Sequence, residues 1–245
     1  MRRVLFQVFS RLLLAQAAWN SQRMQNIGFL WSVMPFLKKL YRDPAEFKKA
    51  CVRHLEFFNT HPYFSGIFAG ILIHWENKNH ELVSKVKVSY GGPMAALGTQ
   101  MFWSTLRPVA GIAAILAAFA GASPALSAAL FLVAYNIVSI PVRYIFLERG
   151  AAVGLDFFYV LKSANPGKLI WYAQLLGVAA ASAAVFFYYV NYLPDSWPVE
   201  HAFAAIVIAT LLTHVFVKKI SGLMIFYAVA VLSTLFFVLF GGGIV

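Results

Sequence analysis

Four of the six histidines in this 245-residue chain, His54, His61, His74 and His80, crowd into one short stretch, with Glu76 among them. Such a group raises the prospect of a metal site or an acid–base pair. The spacing argues against it. On a helix His74 and Glu76 point about 200° apart, and the two-histidine, one-turn arrangement flanked by a glutamate is missing. The run "HWENKNHE" also has the polarity of an exposed loop. The single cysteine, Cys51, excludes an internal disulfide and any cysteine-based zinc spacing. It reads as a small apolar helix residue. No nucleophile elbow, phosphate-binding loop or paired-glycine nucleotide fingerprint occurs, so no cofactor is expected. Ser65-Gly66 and Ser221-Gly222 read as turns or helix contacts.

The elements that must hold these residues belong to a membrane protein. Hydrophobic residues make up 61% of the chain and charged ones only 12%, far from the balance of a soluble domain. The net charge of +11 is concentrated early, with 14 of the 20 Lys and Arg before Pro108. That is the positive-inside pattern, with anionic lipid headgroups as neighbours, and no aromatic-basic module points to nucleic acid. The opening "MRRVLFQVFSRLLLAQAAW" resembles a signal peptide, but Arg11 interrupts its apolar core. An amphipathic helix on the cytoplasmic face is the expectation.

The chain is expected to be all-α, with N-terminal amphipathic and re-entrant helices over residues 1–107 and about five hydrophobic membrane segments over residues 108–245. In the first region Pro35, Pro62 and Pro93 stop apolar stretches short of spanning length. Asp43, Pro44 and Glu46 open a helix as cap, first-turn proline and capping-box partner. Phe47, Cys51, Leu55 and Phe58 form its apolar stripe, and Pro62 should end it near Asn59. Gly91-Gly92-Pro93 and Gly98 suggest non-helical backbone, which survives in a bilayer only where protein buries it or water reaches it. Runs at 109–121 and 126–147 form a hairpin around "GASPA", and further runs cover 169–193, 202–217 and 223–240. The segment "GAAVGLDFFYVLKSANPGK" between them reads as re-entrant or interfacial. Arg107, Arg149 and Lys218-Lys219 on one side, against Asp195 and Glu200 on the other, place the N-terminus in the cytoplasm. Arg143 near a span end fits both snorkelling and a functional charge, whereas His214 reads as structural.

Three ordered blocks, "LLLAQAAWNSQRMQNIGFLWSVMPFLKKLY", "RHLEFFNTHPYFSGIFAGI" and "GGPMAALGTQMFWSTLRPV", resemble the signature segments of the D subunit (IID) of mannose/fructose/sorbose-type phosphotransferase sugar transporters. The resemblance implies a multi-pass inner-membrane subunit that forms the sugar pathway with a IIC subunit. The sugar is then phosphorylated by a histidine-phosphorylated IIB domain, which IIA recharges. It implies a hetro-oligomer without a phosphohistidine, catalytic residue or cofactor of its own. Matched positions give Asn20, Gln25, Asn59, His61, Thr99, Trp103 and Arg107 as candidates for the sugar path or the IIC interface. The family usually reads glycine-aspartate where this chain has Gly98-Thr99, which removes a carboxylate that a hydroxyl cannot fully replace.

Overall fold

A computed structural model describes residues 1–192. Contacts divide the chain into Met1–Ala181 and Ser182–Val245, and the architecture below is that of the first unit. Among the described residues all regular structure is helical. The elements are α1 (Arg2–Leu14), α2 (Asn26–Leu40), α3 (Pro44–His54), α4 (Ser65–Trp75), α5 (His80–Gly98), a π-helix (Thr99–Leu106), α6 (Arg107–Phe119), α7 (Pro124–Val153), α8 (Phe157–Ser163) and α9 (Pro166–Tyr192). The expected runs at 202–217 and 223–240, with His214, lie outside the described residues.

The N-terminal helix forms as its pattern requires, burying Leu5, Val8 and Leu12 on one face. It packs on α2, which runs through Pro35 instead of ending there. Proline has no N–H and orphans the carbonyl four residues back. Here that carbonyl belongs to Trp31, and Arg11 Nη1 donates to it at 2.9 Å while the guanidinium lies 5.0 Å from the centre of the Trp31 ring. The helix survives its proline because α1 supplies the missing donor.

Asp43 caps α3 as expected, accepting from the Glu46 N–H at 3.0 Å, with Pro44 in the first turn. The helix ends at His54, not near Asn59. The chain then runs as a loop whose Phe58 is drawn into the core between Phe29, 4.3 Å away by ring centres, and Phe68, 5.2 Å away.

The expectation of non-helical backbone around Gly91-Gly92-Pro93 is overturned: α5 passes through all three residues. The departure from α geometry comes later, in the π-helix, where the Arg107 N–H bonds the Phe102 carbonyl. Pro108 supplies a reason. Its ring would crowd the carbonyl of Ser104 in a regular helix, and a widened turn relieves that crowding. The run at 109–121 is therefore the end of a continuous helical stretch, His80–Phe119, and the boundary at residues 107 and 108 falls within it. This stretch and Pro124–Ser163 are both long and apolar enough to cross a membrane, and only 22% and 6% of their most apolar windows are buried inside the protein. The core helix of a soluble domain would be mostly covered. The "GASPA" hairpin forms, with Gly121 at φ +90° and Ser123 capping α7, and "GAAVGLDFFYVLKSANPGK" is largely helical.

A close and extended seam joins α4 to α7. A Cβ placed on Gly66 would lie 2.6 Å from the Arg143 carbonyl oxygen; on Gly70, 2.5 Å from that of Leu147; on Gly150, 2.9 Å from that of Ile67. These helices touch backbone to backbone, the use of small residues four apart that brings membrane helices together. By contrast, nothing lies within 4 Å of a Cβ on Gly92. Gly70→Leu is therefore expected to destabilise the protein by roughly 3 kcal/mol or more. Gly92→Ala should stabilise it by about 0.5–1 kcal/mol through helix propensity. Thermal unfolding in detergent compares the two, and equal effects would remove the seam from its structural role.

Candidate functional site

The first two sequence blocks meet in a sewn loop. Asn20 Nδ2 donates to Asn26 Oδ1 at 2.8 Å, and Asn20 Oδ1 accepts from the Arg23 N–H at 2.8 Å. This tight fold puts Met24 at φ 57°, a left-handed conformation unusual for a non-glycine residue. The next residue, Gln25, is buried; its backbone N–H bonds the Phe58 carbonyl at 2.9 Å and its side-chain amide the Thr60 carbonyl at 2.6 Å. Asn26 and Arg23 both donate to the Leu55 carbonyl. Asn20 and Gln25 thus fix the path of residues 55–60. Beside them an open cleft of about 430 Å³ is lined by Asn20, Gln22, Arg23 and Asn26 among others.

That loop delivers His61 to the π-helix. The imidazole is 2% exposed and sits among four rings: stacked on Phe102 at 5.5 Å between centres, with Trp103 at 4.7 Å, Tyr63 at 5.0 Å and Phe64 at 6.2 Å. A Cβ on Gly98 would collide with the imidazole, so only glycine lets the helix approach this closely. Likewise a Cβ on Gly91 would lie 2.8 Å from the carbonyl oxygen of half-buried Asn59. His61 Nδ1 accepts from the Tyr63 N–H at 3.3 Å, while Nε2 has no hydrogen-bond partner among the described residues. Burial, aided by the positive charge of Arg143, lowers the His61 pKa to about 4.

Of the remaining candidates, Trp103 is brought against His61 yet stays 39% exposed. Thr99 and Arg107 lie at the start of the π-helix and directly after it. Both are exposed, and neither side chain makes a hydrogen bond or ion pair among the described residues.

A second cluster escaped sequence reasoning. Glu76, expected in an exposed loop, is 1% exposed at the end of α4. Its Oε1 accepts from Arg53 Nη2 and, at 3.2 Å, from the Tyr41 hydroxyl, and lies 3.1 Å from His54 Nε2. Burial pushes the Glu76 carboxyl up, but His54 and Arg53 outweigh burial and hold it below the ordinary carboxylate range. Burial pushes the His54 imidazole down against the pull of Glu76. Arg53 is thus the fixed counter-charge and His54 a neutral neighbour. Lys87 brings a buried ammonium close by, 5.6 Å from the ring centres of both Phe29 and Phe58, where the ring faces offset part of its lost hydration. Arg53 and Glu76 are distant in sequence and share no periodicity, so no local signal links them. The four-residue spacing of Gly66 and Gly70 was the available signal for the α4–α7 seam.

His74, for its part, faces the Ala151 carbonyl from Nδ1 at 3.1 Å. Among the described residues no group of three or more His, Cys, Asp or Glu could hold a metal ion.

Two long apolar helices that leave most of their apolar windows uncovered are the mark of an integral membrane component. The chain matches the model of the phosphotransferase system (PTS) mannose/fructose/sorbose family IID component over residues 1–236. It is 33% identical over 186 residues to the PTS system mannose-specific EIID component of Escherichia coli K12, covering 73% of this chain and 65% of that relative. The fructose permease IID component of Bacillus subtilis 168 is 29% identical over 191 residues, 75% of this chain and 69% of its own. The aligned part thus spans about two thirds of the length of these curated relatives. Among solved structures, one described as a membrane protein superposes with a TM-score of 0.70 at 26% identity, covering 97% of both chains. The cryo-EM structure of the mannose transporter ManYZ with microcin E492 gives 0.59 at 26% identity, covering 98% of this chain and 97% of that one. The chain belongs to the mannose/fructose/sorbose IID family of the phosphotransferase system.

The depressed His61 pKa fixes a pH dependence. Between its ordinary value of 6.5 and the folded value of about 4, the unfolded chain takes up a proton that the folded chain does not. Stability is therefore complete above the upper value and falls as pH drops through this window, by up to roughly 3 kcal/mol in total. Unfolding of the detergent-solubilised protein at stepped pH measures the slope. Buried His54, also pushed down, adds a slope of the same sign; His61→Phe should therefore reduce the slope without abolishing it, and an unchanged slope would reassign the effect to His54 and other groups.

Proposed function

We propose that this chain is the IID membrane subunit of a phosphoenolpyruvate-dependent sugar permease. It forms the translocation unit with a IIC subunit as a hetero-oligomer and carries hexose-type sugars to a phosphorylated IIB domain on the cytoplasmic side. The observation that carries this reading is the meeting of its signature blocks: a buried, uncharged His61 whose Nε2 has no partner among the described residues, walled by Phe102 and half-exposed Trp103 on a π-helix within a long apolar helix. Aromatic faces with a few fixed polar groups are the makings of a site for a neutral hydroxylated ligand, and π-helical turns are frequent at functional sites. His61 and Trp103 are assigned to the substrate path. Asn20, Gln25 and Asn59 are positioning residues that set the loop, and exposed Thr99 and Arg107 belong to the IIC interface. The subunit performs no chemistry of its own and needs no cofactor.

In this reading the chain is a multi-pass protein of the inner membrane, with about five hydrophobic segments and a cytoplasmic N-terminus. Residues 1–107 form the cytoplasmic-face region, in contact with lipid headgroups, and residues 108–245 the transmembrane region. The early concentration of Lys and Arg supports that orientation.

Exposed Thr99, where the family usually carries aspartate, supports a second reading: a divergent IID scaffold or regulatory subunit with altered transport. Uptake separates the two. Co-expressed with its IIC, IIB and IIA partners in a host lacking its own mannose-type permease, the chain should give phosphoenolpyruvate-dependent hexose uptake. His61→Ala should lower uptake about tenfold, the scale of one or two lost aromatic contacts, while the subunit still reaches the membrane. Normal uptake without the subunit would defeat the first reading, and uptake that appears only with Thr99→Asp would favour the second.

A further inference from the structure

Arg143 carries a charge that no acid among the described residues neutralises. It lies on α7 within the apolar stretch Pro124–Ser163, and its carbonyl abuts Gly66 at the start of α4. The guanidinium carbon sits 3.6 Å from the centre of the Tyr63 ring. Its Nε is buried without a hydrogen-bond partner, and the guanidinium makes no ion pair or hydrogen bond among the described residues. A stacked ring offers a cation part of what water would. Even so, intramembrane arginines are almost always paired with an acid or with backbone carbonyls, because an uncompensated charge there is costly.

The charge does not simply reach for the nearer headgroups. Helical side chains lean toward the helix N-terminus, which for Arg143 means away from the charged pair Glu148-Arg149 and toward Tyr135. Tyr63 and Tyr135 are its electrostatic neighbours. In that direction α7 presents half-buried Tyr135 and Asn136 and buried Ser139. Exposed Leu132, Val133 and Ile137 border this polar strip, so another apolar helix can cover it. An anion held deep in the apolar layer would both bond and neutralise this charge, and a carboxylate on a neighbouring helix meets both conditions.

We propose that Arg143 receives a carboxylate side chain from a membrane helix of the IIC subunit, and that this charge pair fixes how the two subunits seat. The assignment rests on the IID reading above, since it takes the partner from it. It makes α7 between Tyr135 and Arg143 an interface surface, and it makes Arg143 one half of a charge pair across two chains.

The complex itself provides the test. IIC is tagged and co-expressed with this chain, and the amount of chain recovered in mild detergent is measured for the wild type, Arg143→Lys, Arg143→Met and Arg143→Glu. Arg143→Lys should retain most of the complex, whereas Arg143→Met and Arg143→Glu should lower recovery by about tenfold or more. Each variant, expressed alone, is checked for membrane insertion and melting temperature, so that misfolding is told apart from lost pairing. Replacing the membrane-embedded Asp and Glu residues of IIC one at a time by Arg should then yield one variant that restores assembly with Arg143→Glu. Undiminished recovery of well-folded Arg143→Glu overturns the proposal. So does a loss reproduced by Asp195→Asn or Glu200→Gln in this chain, which makes the acid intramolecular. Loss of bound anionic phospholipid by native mass spectrometry, with IIC recovery intact, overturns it in favour of a lipid phosphate. Failure of the wild-type chain to copurify with IIC overturns the IID reading instead.

Discussion

The close approach of α4 to α7 is the constraint on which the other arrangements depend. With Gly66, Gly70 and Gly150 at the seam, the two backbones meet with no side chain between them. In lipid the hydrophobic effect does not drive helices together, and packing at this range takes its place. From this pair the rest is hung. The start of α4 sets the height of Tyr63 and His61 beside the π-helix, and its end carries Glu76 into the interior against Arg53. A shift of one helix along the other would disturb both ends together.

Two polar clusters flank the seam and solve the same desolvation problem differently. At one end Glu76 is surrounded by Arg53, Tyr41 and His54, so an ionised acid is held by converging donors. At the other end His61 stays uncharged, and rings instead of counter-charges surround it. The first arrangement favours rigidity, because removing one partner strands a buried charge. The second leaves a polar nitrogen without a partner among the described residues, beside an accessible tryptophan, which suits contact with something that comes and goes.

What was legible in the sequence follows the range of the interactions responsible. Local patterns were readable: the apolar face of α1, the Asp43 cap, the hairpin turn and the long apolar runs depend on residues a few positions apart. Pro35 and the Gly91-Gly92-Pro93 run do not interrupt their helices as local pattern predicts. A proline's effect depends on what satisfies the carbonyl it orphans, and a glycine serves tight packing as readily as a turn. Glu76 was misplaced because its partners come from α2 and α3, which no periodicity connects to it. For the candidate site, family blocks group His61 and Trp103 without showing that they touch. They also grouped Asn20 and Gln25 with them, although these two shape the loop that delivers His61.

The bond from Arg11 to the carbonyl freed by Pro35 has an evolutionary consequence. The proline creates the vacancy that the arginine fills, so the two positions are not independent characters. A lineage that replaced Pro35 with an ordinary residue would restore the backbone donor and release Arg11 to drift. One that lost Arg11 first would pass through a form with an orphaned carbonyl inside α2. The order of substitution matters here, and residues twenty-four positions apart are expected to change together along that permitted route.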